Sequence, residues 1–345
     1  MGLIEMVKFV ININGFMKIA VLGAGHLGRI HLNIIKRMSE FDLVGFYDPD
    51  PDLSNKISKE LSIYAFKSMT SLIKATDIVD IVTPTLSHFE CAKQAINNRK
   101  HVFIEKPVTN TVAEADELLV LAKCSDVKVQ VGHVERFNPA FLAARSYIKN
   151  PLFIESHRLS PFNPRGNDVS VVLDLMIHDI DIILNIVKSD ITHISTSGVA
   201  VASDNADITN ARIEFDNGCV ANLTASRVSL KKMRKTRIFQ KDTYISIDFL
   251  EKKTEIVSLS EVSSWNPFAI NIEVDAVGNK KTAHLHKPKI KDLNAIHEEL
   301  VTFAGAIQNN KIPHVTLSDG CKALRVAHII MRKINERISK TLPNA

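Results

Sequence analysis

Lys18-Ile19-Ala20-Val21-Leu22-Gly23-Ala24-Gly25-His26-Leu27-Gly28 decides the fold of this chain. A short run with an apolar body, Lys18 to Leu22, breaks at paired glycines, and a helix-length amphipathic segment starts near His26. The glycines let backbone approach a pyrophosphate where a helix begins, with N–H groups and the helix dipole aimed at the anion. A bare G-x-G-x-x-G pattern is weak. Here a second apolar run, Leu43 to Tyr47, ends in Asp48, 20 residues after Gly28, where a carboxylate can accept both ribose hydroxyls of an adenosine. That carboxylate would repel a 2′-phosphate and favours NAD, with NADP left open because Asn55 and Lys56 lie nearby.

The same unit then repeats. Strands are expected at Lys18 to Leu22, Leu43 to Tyr47, Ile63 to Phe66, Ile78 to Val82, Val102 to Ile104 and Val127 to Val131. Helices start near His26, Asp52, Met69, His88 and Thr111. Alternating strands and helices predict a doubly wound parallel sheet of the Rossmann type over residues 17–138, an NAD(P)-binding domain. After Asn138 and Pro139 the rhythm changes to a long helical pattern, Ser170 to Lys188. Strand-rich stretches follow at Ile191 to Ala202, Asp207 to Phe215, Val220 to Val228, Thr236 to Gln240 and Tyr244 to Phe249. Strands without helices between them predict a large, mostly antiparallel sheet in an α+β domain over residues 139–345, for substrate binding and oligomerisation. Helical periodicity returns over Asp292 to Gln308 and Ser318 to Ile338, and these helices are free to pack back on the first domain.

Composition excludes more than it selects. With 345 residues, 45% hydrophobic and 23% charged, the chain is an ordinary globular protein of two-domain length. The net charge of +5 favours anionic ligands without asking for nucleic acid. Its dense basic cluster, Lys231, Lys232, Arg234, Lys235 and Arg237, reads first as the solvated face of a strand and second as a device for steering a diphosphate. Cys91, Cys124, Cys219 and Cys321 form no C-x-x-C pair, which suits a reducing, cytoplasmic setting. Met1 to Phe16 carries Glu5 and Lys8 within its apolar stretch and reads as neither signal peptide nor membrane anchor, but as an upstream start or cloning remnant. A bare antiparallel sheet face needs a partner, so a homodimer or homotetramer is expected.

Two further motifs end strands where open α/β sheets bind ligands. Thr83-Pro84-Thr85, with His88 opening the next helix, and Glu105-Lys106-Pro107 join Gly23, Gly25, His26, Leu27, Gly28 and Asp48 as candidate cofactor contacts. Lys106 can also hold a substrate hydroxyl by a charge-assisted hydrogen bond; the alternative is a solvated lysine at a strand end. Asp174 and His178 lie four apart on an apolar helix, which puts both on one face. A histidine there is either a core residue or the general base that takes a hydroxyl proton, with Asp174 orienting it. Third and fourth metal ligands at telling spacing are missing, so no metal is expected.

With its glycine loop, Glu105-Lys106-Pro107 and Asp174-x-x-x-His178 in order, the chain resembles the glucose-fructose oxidoreductase and inositol dehydrogenase family over nearly its whole length from Met17. The resemblance implies that Lys106, Asp174 and His178 form the catalytic group. Within the family, Gly132-His133-Val134-Glu135-Arg136-Phe137-Asn138-Pro139, His157-Arg158-Leu159, Val172 to Asp181 and Ala221 to Arg227 are similar to the UDP-N-acetylglucosamine 3-dehydrogenases. That implies oxidation of a sugar 3-hydroxyl to a ketone, which an aminotransferase would convert to an amine for lipid A precursors. Arg136, Asn138, Arg158 and Arg165, with His178, are then candidate substrate contacts; for each arginine the alternative is an ion pair within the protein. Other readings keep the fold and change the substrate, to inositol, a UDP-sugar uronate or a biliverdin-type reduction, or make the chain a non-catalytic dinucleotide sensor.

Overall fold

The computed structural model describes residues 17–162, 169–203, 205–261, 270–273 and 280–341. In chain order the strands are β1 Met17–Leu22, β2 Phe41–Tyr47, β3 Ile78–Ile81, β4 His101–Glu105, β5 Val129–Gly132, β6 Pro151–Leu159, β7 Ile191–Val199, β8 Ile208–Phe215, β9 Val220–Ser226, β10 Met233–Gln240, β11 Thr243–Asp248, β12 Lys253–Glu261, β13 Ile270–Glu273 and β14 Lys280–His286. The helices are α1 His26–Ile35, α2 Pro51–Leu61, α3 Met69–Ala75, α4 His88–Asn97, α5 Val112–Ser125, α6 Pro139–Ala144, α7 Ile177–Ile186, α8 Ala295–Gln308 and α9 Leu317–Thr341. No helix among the described residues is long and apolar enough to cross a membrane.

The chain divides into two compact units that do not follow a single cut in the sequence. The first comprises Met1–Glu105, Leu118–Gln130 and Leu300–His314; the second comprises Lys106–Glu117, Val131–Glu299 and Val315–Ala345. The chain pattern predicts one change of rhythm, but compactness follows apolar contact. Phe303, far along the sequence, is fully buried against Phe103 of β4 at 6.1 Å between ring centres.

In the first unit the sheet order is β2-β1-β3-β4-β5. β1 pairs in parallel with both β2 and β3, and β4 continues parallel from β3. Ile19, Ala20, Val21, Ile78, Val79, Ile81, Val102, Phe103 and Ile104 are all fully buried, because helices on both faces leave no solvated side. Asp80 is the polar exception within β3. Strand order reverses at β1, so the chain turns that follow β1 and β3 flank the crevice where such sheets take dinucleotides. The expected strand over Ile63 to Phe66 is reduced to one bridge, Phe46 to Ala65. Its backbone hydrogen-bonds on both sides of Phe46, Phe46 N donating to the Tyr64 carbonyl oxygen at 3.0 Å and Phe66 N to the Phe46 carbonyl oxygen at 2.8 Å, but no full strand forms.

The second unit carries a sheet of nine described strands in the order β13-β14-β12-β11-β10-β6-β9-β8-β7. Every pairing recorded within it is antiparallel except β6 with β9. Along β6, Ile154, Ser156 and Arg158 are buried, with more exposed residues between them, and Thr236 and Ile238 of β10 do the same in matching register. β6 and β12 to β14 were not among the expected strands; polar runs such as Glu251-Lys252-Lys253-Thr254-Glu255 disguise their alternation. The expected helix over Ser170 to Lys188 forms in two parts, a π-helical turn at Val172–Met176 and then α7.

Candidate functional site

The glycine loop has the close backbone packing expected of a phosphate-binding turn. Gly23 has φ +95, in the left-handed region, and a Cβ there would lie 2.8 Å from the Val82 carbonyl oxygen and 2.9 Å from Thr83 N. At Gly28 a Cβ would meet the Gly23 carbonyl oxygen at 2.0 Å, so α1 starts as close to β1 as backbone allows. Gly25 differs: it caps α1 without a side-chain hydrogen bond, and a Cβ on it would project into open space. The first helical turn thus begins at a position with open space beside Gly25, and its N–H groups are of the kind that bind anions. Exposed His26 and partly exposed Leu27 follow on that turn. Asp48, at the end of β2, accepts from Ala24 N at 2.7 Å and from Asp50 N at 3.0 Å. It thus ties the loop down, and its remaining lone pairs suit ribose hydroxyls.

Thr83, Pro84 and Thr85 follow β3 as expected, with Pro84 exposed. His88 is corrected. Its ring is buried, and Nε2 lies 2.9 Å from the Thr83 carbonyl oxygen, so it shapes this turn from beneath rather than facing a ligand. Glu105 is buried too, its Oε1 3.5 Å from His31 Nε2, while His31 Nδ1 lies 2.8 Å from Asp80 Oδ2. Burial disfavours the imidazolium, but the Asp80 and Glu105 carboxylates outweigh that and hold the His31 pKa well above its ordinary value. This buried trio links α1, β3 and the end of β4. Asp80, a carboxylate inside an apolar strand, was its one signal in the sequence.

A second polar cluster lies wholly within the second unit. Lys106 Nζ donates to the Asp174 carbonyl oxygen at 2.9 Å and lies 3.6 Å from Asp174 Oδ1. Asp174 belongs to the π-helical turn, a local irregularity often found at functional sites. The expected hydrogen bond from Asp174 to His178 is not made; the carboxylate faces Lys106 instead. His178 is partly exposed, and its buried Nδ1 has no hydrogen-bond partner among the described residues. Desolvation, then the positive charges of Lys106, Arg158, His133 and Arg234, push its pKa well below the ordinary histidine value. The ring is therefore neutral at physiological pH, the state a general base needs.

The substrate contacts expected at Arg136, Asn138 and Arg158 are corrected by the same geometry. Arg158 is 2% exposed and grips Asp179 through two hydrogen bonds, of 2.9 and 3.0 Å, and Glu135 through a third of 2.8 Å. Arg136 is 3% exposed and forms a bidentate pair with Asp181, at 2.7 and 2.6 Å, with Asp319 at 3.4 Å. Asn138 caps α6 and donates to Glu135 and the Phe249 carbonyl oxygen. For both arginines burial opposes the charge and the carboxylates more than restore it. These residues fix α7, and with it His178, against β6 and the segment after β5. The two carboxylates of Asp179-Ile180-Asp181 in an apolar helix could have announced such partners. Arg165 lies outside the described residues. No group of His, Cys, Asp and Glu among the described residues could hold a metal ion.

Residues 17–133 match the oxidoreductase family with an NAD-binding Rossmann fold, and residues 144–245 match the GFO/IDH/MocA C-terminal domain. UDP-N-acetylglucosamine 3-dehydrogenase of Acidithiobacillus ferrooxidans is 39% identical over 241 residues, covering 70% of this chain and 76% of that protein. The chain belongs to the GFO/IDH/MocA oxidoreductase family. As a member it is an NAD-binding enzyme, a dehydrogenase, whose first unit carries the NAD-binding Rossmann fold. The solved structure of UDP-N-acetylglucosamine 3-dehydrogenase GnnA from the same organism superposes with a TM-score of 0.83 at 32% identity, over 93% of this chain and 98% of that one. The chain is also similar to scyllo-inositol 2-dehydrogenase (NAD(+)) of Bacillus subtilis, 28% identical over 62% of this chain and 68% of that protein. A scyllo-inositol dehydrogenase from Lactobacillus casei, solved with NAD(H) and scyllo-inositol bound, shares the fold with a TM-score of 0.73 at 21% identity, over 94% of this chain and 98% of that one.

Proposed function

We propose that this GFO/IDH/MocA dehydrogenase oxidises the 3-hydroxyl of UDP-N-acetylglucosamine to a ketone. The observation that carries the chemistry is the pairing of a neutral, partly exposed His178 with a lysine, Lys106, held at fixed reach by Asp174. The relative at 39% identity supports the choice of sugar. NAD, which Gly23, Gly25, Gly28 and Asp48 would hold, would supply the hydride acceptor. His178 takes the hydroxyl proton, and Lys106 hydrogen-bonds the same oxygen as negative charge grows on it. Fixing the sugar against these groups contributes on the order of 7 kcal/mol or more, and the base a further factor of about a hundred or more.

The ketone would pass to an aminotransferase and on to lipid A precursors, in the cytoplasm. The protein would act as a homodimer or homotetramer through the outer face of its large sheet. There Val220, Phe153, Phe239, Tyr244, Val257 and Leu285 form one cross-strand row, with Leu285 62% exposed.

The test is NADH absorbance on mixing the protein with NAD and UDP-N-acetylglucosamine, run beside the UDP-sugar uronate, free N-acetylglucosamine and inositol. A keto-sugar aminotransferase and glutamate draw off product. Turnover confined to UDP-N-acetylglucosamine is expected. Turnover with inositol or the uronate instead hands the site to that substrate, and NAD(H) binding without hydride exchange would mean a sensor.

A further inference from the structure

With Arg136 and Arg158 committed to buried carboxylates, the cluster around His178 needs another cation if it is to receive an anionic substrate. Register identifies one. Arg234 of β10 pairs directly with Arg158 of β6, on the face where Thr236 and Ile238 are buried, and so on the side of the sheet that carries α7. Arg158 holds Asp179, the neighbour of His178 in sequence, so Arg234 stands one strand away from the anchor of the proposed base. Both arginines share Glu135, but unequally. Arg158 NH1 is hydrogen-bonded to Glu135 Oε1 at 2.8 Å and Asn138 occupies Oε2 at 2.9 Å, whereas Arg234 NH1 stands 3.7 Å from Oε1.

Exposure separates the two as well. The Arg158 side chain is 3% exposed and the Arg234 side chain 47%. Arg227, the next arginine before β10, is buried and donates to the Val169 carbonyl oxygen. Within the basic cluster, Lys235 is paired with Asp248 and Arg237 with Glu155, both on the opposite face from Arg234. Arg234 is also the last-named of the positive charges that depress the His178 pKa.

We propose that Arg234 is the anion contact of the substrate site, seating the diphosphate of a nucleotide sugar while Glu135 orients the guanidinium from behind. This rests on the nucleotide-sugar reading and names the residue that would select such substrates over free polyols. A guanidinium matches phosphate oxygens bidentately, and the Arg234 side chain is half-exposed. Because it contacts a part of the substrate remote from the reacting carbon, it would contribute mainly to binding.

The experiment is calorimetric titration of the NAD-loaded protein with UDP, UMP and UDP-N-acetylglucosamine, using wild type, R234Q and R234K, with steady-state rates for each. In R234Q the affinity for UDP is expected to fall about tenfold or more, UMP much less, and KM to rise while kcat changes little. R234K is expected to recover part of the loss, and melting temperatures to stay close to wild type. If R234Q binds UDP as wild type does, the assignment of Arg234 is overturned while the nucleotide-sugar reading stands. If wild type itself binds no uridine nucleotide, that reading falls and the assignment with it.

Discussion

The carboxylate of Asp174 lies 3.6 Å from Lys106 Nζ, which also donates to the Asp174 carbonyl oxygen at 2.9 Å, and His178 makes no hydrogen bond to either oxygen. In the proposed reaction the three residues would then act as a held lysine and a separate base. K106M is expected to lower kcat by about a hundredfold, the effect of losing a preorganised donor to the reacting oxygen. D174N should cost less, about tenfold, and add little on top of K106M, since its effect passes through the lysine. Independent, multiplicative losses in the double variant would refute this arrangement.

H178Q removes the base and should reduce kcat by roughly a hundred- to ten-thousand-fold while sparing NADH binding, measured by fluorescence titration. Its pKa is depressed in the folded protein, so the acid limb of the rate profile should lie below the usual histidine range. The linkage has a definite sign. The unfolded chain binds this proton more readily, so the stability tied to neutral His178 is fully present above the ordinary histidine value and fades as pH falls towards the folded one. H178Q should flatten that acid arm in denaturant titrations.

His31 carries the opposite sign. Its folded pKa is raised, so its stabilisation is fully present below the ordinary histidine value and is lost as pH rises through the folded one. H31L leaves Asp80 and Glu105 buried without their cation and should cost about 3–5 kcal/mol at neutral pH. Urea unfolding at several pH values reads both effects.

Gly25→Ala and Gly28→Ala should part company. The Cβ of the second falls 2.0 Å from the Gly23 carbonyl oxygen, and the fold should suffer; that of the first enters open space. G25A is expected to keep its melting temperature and lose affinity for NADH. Equal behaviour of the two variants in melting and titration would remove the phosphate-binding turn from the argument.

R158M is expected to destabilise by about 3–5 kcal/mol, by orphaning Asp179 and Glu135. Equilibrium unfolding, compared with R234Q, separates an arginine that holds the protein together from one that faces solvent.

These contrasts mark where sequence reading succeeds. The places of the β1 turn, Asp48, Lys106 and His178 in the fold were legible because the pattern around each is local: glycines beside a strand, a carboxylate at the next strand's end, a histidine in an apolar helix. Arg136 and Arg158 were misread because their partners, Asp181 and Asp179, meet them only through the fold. Arg234 was marked only as one of five basic residues that could steer a diphosphate, since which of them faces inward depends on a register with β6 that no linear pattern carries. Ile63 to Phe66 had strand composition but forms only a single bridge.

Because the first unit takes up Leu118–Gln130 and Leu300–His314 as well as the stretch before Lys106, neither unit is a cassette. A fragment ending at Asn138 would lack Phe303, which fills the core beside Phe103. Recombination with a relative, in evolution or at the bench, therefore cannot exchange cofactor and substrate halves at one crossover.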